Sequence, residues 1–157
     1  MSDNVSVRRG TVSDSKALAL LKIEWAQLRE PVSPVDADLF AHTLVEWMDR
    51  LGDNLVCHVA EVNDRIIGMA WLVIFDRVPD FGTVHRVSGD VQSVYVAPEF
   101  RSAGVGAQLM TAICEEADRL GIPRVLVHSS STAIPFYKKL GFESLARLLA
   151  RPLKIPL

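Results

Sequence analysis

Residues Arg101-Ser-Ala-Gly104-Val-Gly106 have the spacing R-x-x-G-x-G, which closes a turn and opens a helix. The first amides of a helix have no internal partner and lie at the positive end of its dipole, so such a turn attracts an anion. Without a Cβ at Gly104 and Gly106 a phosphate can come close to the backbone, and the small side chains of Ser102 and Ala103 keep the turn open. Other glycine-loop chemistries do not fit. Gly-Val-Gly-Ala-Gln-Leu lacks the third glycine of a dinucleotide fold, and no Gly-Lys-Ser/Thr ending marks a nucleotide loop. Taken alone, the six residues equally describe a glycine-tolerant turn packed closely against a strand.

The elements around this turn are legible from periodicity. Val91–Pro98 reads as a strand stopped by its proline. Apolar residues on both parities (Val91 and Tyr95, Val94 and Val96) predict cover on both faces. A helix from about Gly104 to Leu120 follows, with Val105, Leu109, Ile113, Ala117 and Leu120 inward. Arg124–Ser129 predicts another buried strand, Thr132–Leu140 a short helix, and Phe142–Leu153 a last strand region. Upstream, Val5–Arg9 predicts a short strand. Two helices come next, one with Leu18, Leu21, Trp25 and Leu28 on one face, the other with Phe40, Leu44, Trp47, Met48 and Leu51. Leu55–Val62 and Ile66–Phe75, joined through Asn63-Asp64-Arg65, predict a hairpin; Asp76–Asp90 reads as a loop. The order β-α-α-β-β-β-α-β-α-β predicts one α+β domain over residues 1–157. Its sheet is mixed and mostly antiparallel with one parallel pair, and helices cover both faces.

The 157 residues are 49% hydrophobic and 23% charged, enough for one sizeable core, and the net charge of −2 gives no basic surface for nucleic acid. The N-terminal residues have no signal-peptide pattern, and no segment approaches the roughly 18–20 apolar residues of a membrane span, so a cytoplasmic protein is expected. Cys57 and Cys114 are expected as free thiols. His42, His58, His85 and His128 show no metal-ligand spacing, so no metal is expected. A Ser-His-Asp site has no nucleophile elbow to stand on.

Two motifs and the element order together resemble the GNAT superfamily of N-acetyltransferases over nearly the whole chain. The motifs are Val94-Tyr-Val-Ala-Pro-Glu-Phe-Arg-Ser-Ala-Gly-Val-Gly-Ala-Gln-Leu-Met110 and Thr132-Ala-Ile-Pro-Phe-Tyr-Lys-Lys-Leu-Gly-Phe142. The resemblance implies acetyl-CoA as cosubstrate, its pyrophosphate on the amides of Ala103, Gly104, Val105, Gly106 and Ala107. Arg101 and Ser102 shape that turn, and Arg101 either fixes it or adds charge near the phosphates. Val94, Tyr95 and Val96 would splay from the next strand to meet the pantetheine arm, and the Val96 amide would polarise the thioester carbonyl. Tyr137 matches the family's general acid. Ser130 stands where many members have asparagine, able to bond pantetheine or to cap the next helix.

The general base stays open among His85, Asp90, His128 and water, with Glu61 also considered. In the family the two N-terminal helices and their loop shape the acceptor pocket. Here that loop is Glu30–Asp38, in which Asp36 and Asp38 either attract a cationic amine or cap the helix. The acceptor is a small-molecule or peptide amine. The short tail after Gly141 points to an open site or to a partner subunit completing it, and a homodimer is the commonest symmetric assembly. An acyl-CoA-binding sensor without turnover would share the Arg101–Gly106 turn; a proton donor at Tyr137 is the feature it would not need.

Overall fold

A computed structural model describes residues 4–31 and 36–153. Five strands form one sheet in the order β1-β2-β3-β4-β5, where β1 is Ser6–Arg9, β2 Leu55–Val62, β3 Arg65–Arg77, β4 Arg86–Val96 and β5 Val125–Val127. Neighbours are antiparallel except β4 and β5, which are parallel. Two helices, α1 (Ser15–Arg29) and α2 (Ala37–Leu51), cover one face; α3 (Val105–Arg119) and α4 (Ile134–Lys139) belong to the other. This is the expected mixed α+β sheet with helices on both faces.

Each face has its own core. Leu109, Met110 and Ile113 of α3 are wholly buried against Val56, Ile67 and Leu72 of the sheet. On the opposite face Leu18, Leu21, Leu44 and Met48 meet Val59, Met69 and Trp71. Full burial of one such side chain contributes about 1.5–3 kcal/mol, so α3 is anchored chiefly by its apolar stripe. Asn63 and Asp64 both have positive φ and join β2 to β3 in a two-residue turn closed by the Val62–Arg65 pair, as the hairpin reading requires.

Three expectations are corrected. The Asp76–Asp90 loop is strand at both ends: β3 runs to Arg77 and β4 starts at Arg86, so the connection shrinks to residues 78–85. Beyond Val73 no β2 residue pairs with β3. The arm is therefore two-stranded at its tip; Phe75, Asp76 and Arg77 are all exposed while Ser88 and Gly89 on β4 are buried, and neither segment carries an apolar alternation to read. Phe142–Leu153 forms no strand; Leu145, Leu148, Leu149 and Leu153 are exposed, and β5 has no strand on its outer edge among the described residues. Finally, Val91 and Tyr95 do not share a face. Trp71 pairs with Gln92 but Met69 with Tyr95, so Ala70 is opposed by both Ser93 and Val94. This bulge, with Ser93 at φ 52°, puts Val91, Val94 and Val96 on the α3 side and Tyr95 on the α1 side.

Candidate active site

The β4–β5 pairing ends early. It covers Gly89–Val125, Asp90–Leu126 and Val91–Val127, while β4 continues to Val96. From Gln92 onward the β5 side of β4 is an unpaired edge. The Ala97 amide donates to the Ile67 carbonyl at 2.8 Å, which makes Ile67–Ala97, and by alternation Met69–Tyr95, hydrogen-bonded pairs. Val96 then turns its amide and carbonyl away from β3 toward the open edge. Its carbonyl accepts from Arg101 Nε at 2.9 Å. Tyr95 lies differently: its main chain faces β3, and its phenol donates to Glu24 on α1 at 2.9 Å. Burial and Glu24 push that phenol up to about 12.

The turn after β4 leaves the first amides of α3 without internal partners. Gly104 is left-handed (φ 79°, ψ 7°) as the N-cap of α3, and the helix's first internal bond comes from the Gln108 amide to the Gly104 carbonyl. The amides of Val105, Gly106 and Ala107 precede it and have no turn below to donate to. A Cβ on Gly104 would meet nothing within 4 Å, so the space over the helix end is open and the glycine is required by φ. Gly106 does different work, since a Cβ there would touch the Phe136 ring at 3.5 Å, ordinary packing contact. Arg101 points back: besides the Val96 carbonyl, its guanidinium lies 5.4 Å over the Tyr95 ring. It fixes the turn to the end of β4. Ser102 and Ala103 are exposed, Ser102 at φ 65°.

Tyr137 projects from α4 into the α3-side core, 8% exposed, edge-on to Phe136 and Phe142 at 5.0 and 5.5 Å between ring centres. Its hydroxyl has no hydrogen-bond partner among the described residues, and burial raises its pKa, which keeps the proton on the phenol. It lines a cavity of about 690 Å³ between β5, α4 and the C-terminal half of α3, shared with Ser129 but not with the Arg101–Gly106 turn. Ser130 is exposed at the head of the one-turn 3-10 helix Ser131–Ala133, its hydroxyl 3.2 Å from that of Thr132.

The base candidates separate. His85 sits in the exposed connection before β4, a strand of 11 residues, roughly 36 Å, from Val96. Glu61 is taken by Arg8. His128 is exposed just past β5. Asp90 is half-buried on β4 and accepts from Gln92 Nε2 at 2.9 Å. Of the acceptor-loop acids, Asp36 caps α2 by accepting from the Asp38 and Leu39 amides, and Asp38 pairs with Lys16; residues 32–35 of that loop lie outside the described residues.

Residues that spacing did not single out gather on the α1 side. Trp25, expected in the core, is half-buried and stacks on Tyr95 at 5.4 Å between ring centres. Lys22 donates to the Ser93 hydroxyl at 2.8 Å. The signal that could have found them is the polar break Gln92-Ser93 in an otherwise apolar strand, the composition of a bulge. Among the described residues no three His, Cys, Asp or Glu side chains are grouped to hold a metal, and no helix is long and apolar enough to cross a membrane. Cys57 and Cys114 are free, and burial raises the Cys57 thiol to about 12.

A truncated parallel pair, a strand edge left open beyond it and a helix N-terminus at its end follow one another along the chain. The acetyltransferase (GNAT) domain family matches residues 53–144, and the chain belongs to that family. Glucosamine 6-phosphate N-acetyltransferase of Trypanosoma brucei brucei is 37% identical over 91 residues; the match spans 58% of this chain and 58% of that protein. An acetyltransferase structure from Trypanosoma brucei superposes with TM-score 0.75 at 26% identity, covering 96% of this chain and all of the other. An acetyltransferase of Clostridium acetobutylicum solved with acetyl-CoA has the same fold, with TM-score 0.77 at 20% identity over 95% of this chain and 96% of its own.

Proposed function

We propose that the chain is an N-acetyltransferase that moves an acetyl group directly from acetyl-CoA to a primary amine, with no covalent enzyme intermediate. The observation that carries this is the continuity of the open β4 edge at Val96 with the free amides opening α3. In this reading the pyrophosphate lies on the amides from Ala103 to Ala107, and the pantetheine arm takes the place along Val94–Val96 that β5 vacates. The thioester carbonyl then meets the Val96 amide, a donor aimed before charge develops on the oxygen.

The amine nitrogen attacks the carbonyl carbon and forms the C–N bond as the carbonyl pair moves to oxygen. The C–S bond breaks on collapse, and Tyr137 gives its proton to the departing thiolate. The nitrogen loses a proton to Asp90, to His128 or through water. Arg101 acts on position alone: by holding the Val96 carbonyl it fixes the peptide that follows the polarising amide. Membership in an acetyltransferase family and the protonated, unpartnered phenol of Tyr137 support turnover over mere binding.

The test is isothermal titration with acetyl-CoA and with free CoA, followed by thiol release across a set of amines. Micromolar binding with amine-dependent thiol release is the expected result. Binding without release for any amine would favour an acyl-CoA sensor, and no binding would remove the site assignment.

A further inference from the structure

The second cavity, about 440 Å³, opens on the α1 side and is lined by Lys22, Trp25, Ala26, Arg29, Phe40 and Ser93. Its charge is one-sided. The Lys22 ammonium is half-buried and its partner is a neutral hydroxyl, that of Ser93. Arg29 lies over the Trp25 ring at 5.5 Å. Neither cation has a carboxylate within ion-pair distance among the described residues, and Lys22 is set apart from the exposed unpaired cations by being half-buried. The acid closest along α1, Glu24, is turned to the Tyr95 phenol instead. Burying an ammonium against a hydroxyl alone is unfavourable. Burial accordingly pulls the Lys22 pKa below its ordinary value, and an anion in the cavity would reverse that loss.

The place matters as much as the charge. Ser93 is the bulge residue of β4, and three residues on, about 10 Å of strand, is the Val96 amide. A small molecule whose anionic group rests on Lys22 and Arg29 would therefore reach the acyl group with its other end. Trp25 and Phe40 supply apolar walls for what lies between.

We infer that Lys22 and Arg29 select an acceptor that carries an anionic group, phosphate or carboxylate, a small molecule's length from its primary amine. This rests on the acetyl-transfer reading for the amine end and on the cavity alone for the anionic end. Polyamines and other purely cationic acceptors are disfavoured by the same charges.

The experiment uses four acceptors with acetyl-CoA saturating: glucosamine 6-phosphate, glucosamine, 6-aminohexanoate and spermidine. The phosphorylated sugar, or the carboxylated amino acid, is expected to exceed glucosamine and spermidine in kcat/KM by about thirtyfold, the scale of one hydrogen bond to a charged group. Whichever of the two anions wins identifies its source. Lys22→Met and Lys22→Gln should each raise KM for that acceptor by about tenfold to a hundredfold and collapse its preference over glucosamine, with acetyl-CoA affinity retained. Arg29→Gln should do the same to a lesser degree. Equal use of glucosamine or spermidine would overturn the inference. So would a Lys22 variant that lowers kcat equally on all acceptors, the mark of a proton acceptor. Titration of glucosamine 6-phosphate and 6-aminohexanoate against glucosamine reads the cavity without turnover. Binding of an anionic amine that is lost in Lys22→Met supports the anion site even if no acetyl moves, and absence of that binding sinks it even if another amine is acetylated.

Discussion

Replacing Gly104 by valine separates the two things this residue does. At φ 79° a side chain costs roughly 1–2 kcal/mol in backbone strain, and no clash adds to it, because a Cβ there meets nothing within 4 Å. With an unfolding entropy of roughly 2.1 cal/mol/K per residue over 157 residues, the melting temperature should fall by about 3–6 °C. Folded domains commonly have about 5–15 kcal/mol of stability, so the variant stays native. Binding should suffer far more. The side chain occupies the space through which a pyrophosphate reaches the α3 amides; loss of two contacts at about 1.5 kcal/mol each weakens acetyl-CoA binding roughly 150-fold. Gly104→Ala carries the same backbone strain with a methyl in open space, so it should show a similar thermal shift with a much smaller loss of affinity. Calorimetric titration and a thermal melt of both variants decide the matter. A valine variant that melts 3–6 °C lower yet binds acetyl-CoA within a factor of about three of the parent would refute the phosphate role and leave the turn purely structural.

Tyr137→Phe keeps the ring between Phe136 and Phe142 and removes only the hydroxyl; kcat should drop by about a hundredfold with acetyl-CoA affinity unchanged, and unchanged rates across several amines would remove the acid role. Leu109→Ala empties a fully buried site between α3 and the sheet and should cost about 2–5 kcal/mol in urea unfolding; a loss under 1 kcal/mol would mean the α3 core is less tightly packed than described. Arg8 holds the Asp14 carboxylate below its usual range, so that pair stabilises the fold above pH of about 4 and loses its effect as pH falls through the folded-state value. The stability gap between the parent and Asp14→Asn should therefore be present at neutral pH and close in acid, and a gap that stays constant with pH would show that the charge of Asp14 is not its cause.

Periodicity found what periodicity can carry. Val105, Leu109, Ile113 and Ala117 of the α3 stripe are buried as spaced, though Leu120, expected with them, lies past the helix end and is exposed, and the Asn63-Asp64 turn sits where its two residues permit. The Arg101–Gly106 turn was legible for the same local reason, since two glycines and small neighbours specify a helix entry within six residues. The outer arm of β3 and β4 was not. Its β3 part, Phe75 to Arg77, is exposed at every position, and the ladder bonds and pairs such as Arg86–Asp80 that help to hold it leave no alternation behind. Phe142–Leu153 failed in the opposite direction: its leucines look like a strand, but a strand exists only where a neighbour accepts its hydrogen bonds, and none does within the described residues.

The acceptor side was hidden by a single inserted residue. Read as an unbroken strand, β4 puts Val91 and Tyr95 on one face; the bulge at Ser93 moves Tyr95 to the other. Everything on the α1 side follows from that shift. Tyr95 meets Trp25 and Glu24, the Ser93 hydroxyl meets Lys22, and Trp25 is drawn out of a core role into the wall of a cavity. The same bulge comes two residues after Val91, the last β4 residue that pairs with β5. One irregularity thus lies next to the opened edge proposed for the pantetheine arm and aims polar groups at the place where an acceptor would approach. A variant that restores strand regularity by deleting Ser93 should therefore lose both acetyl-CoA affinity and acceptor preference together. A deletion that folds and loses one without the other would show that the two sides of the site are built independently.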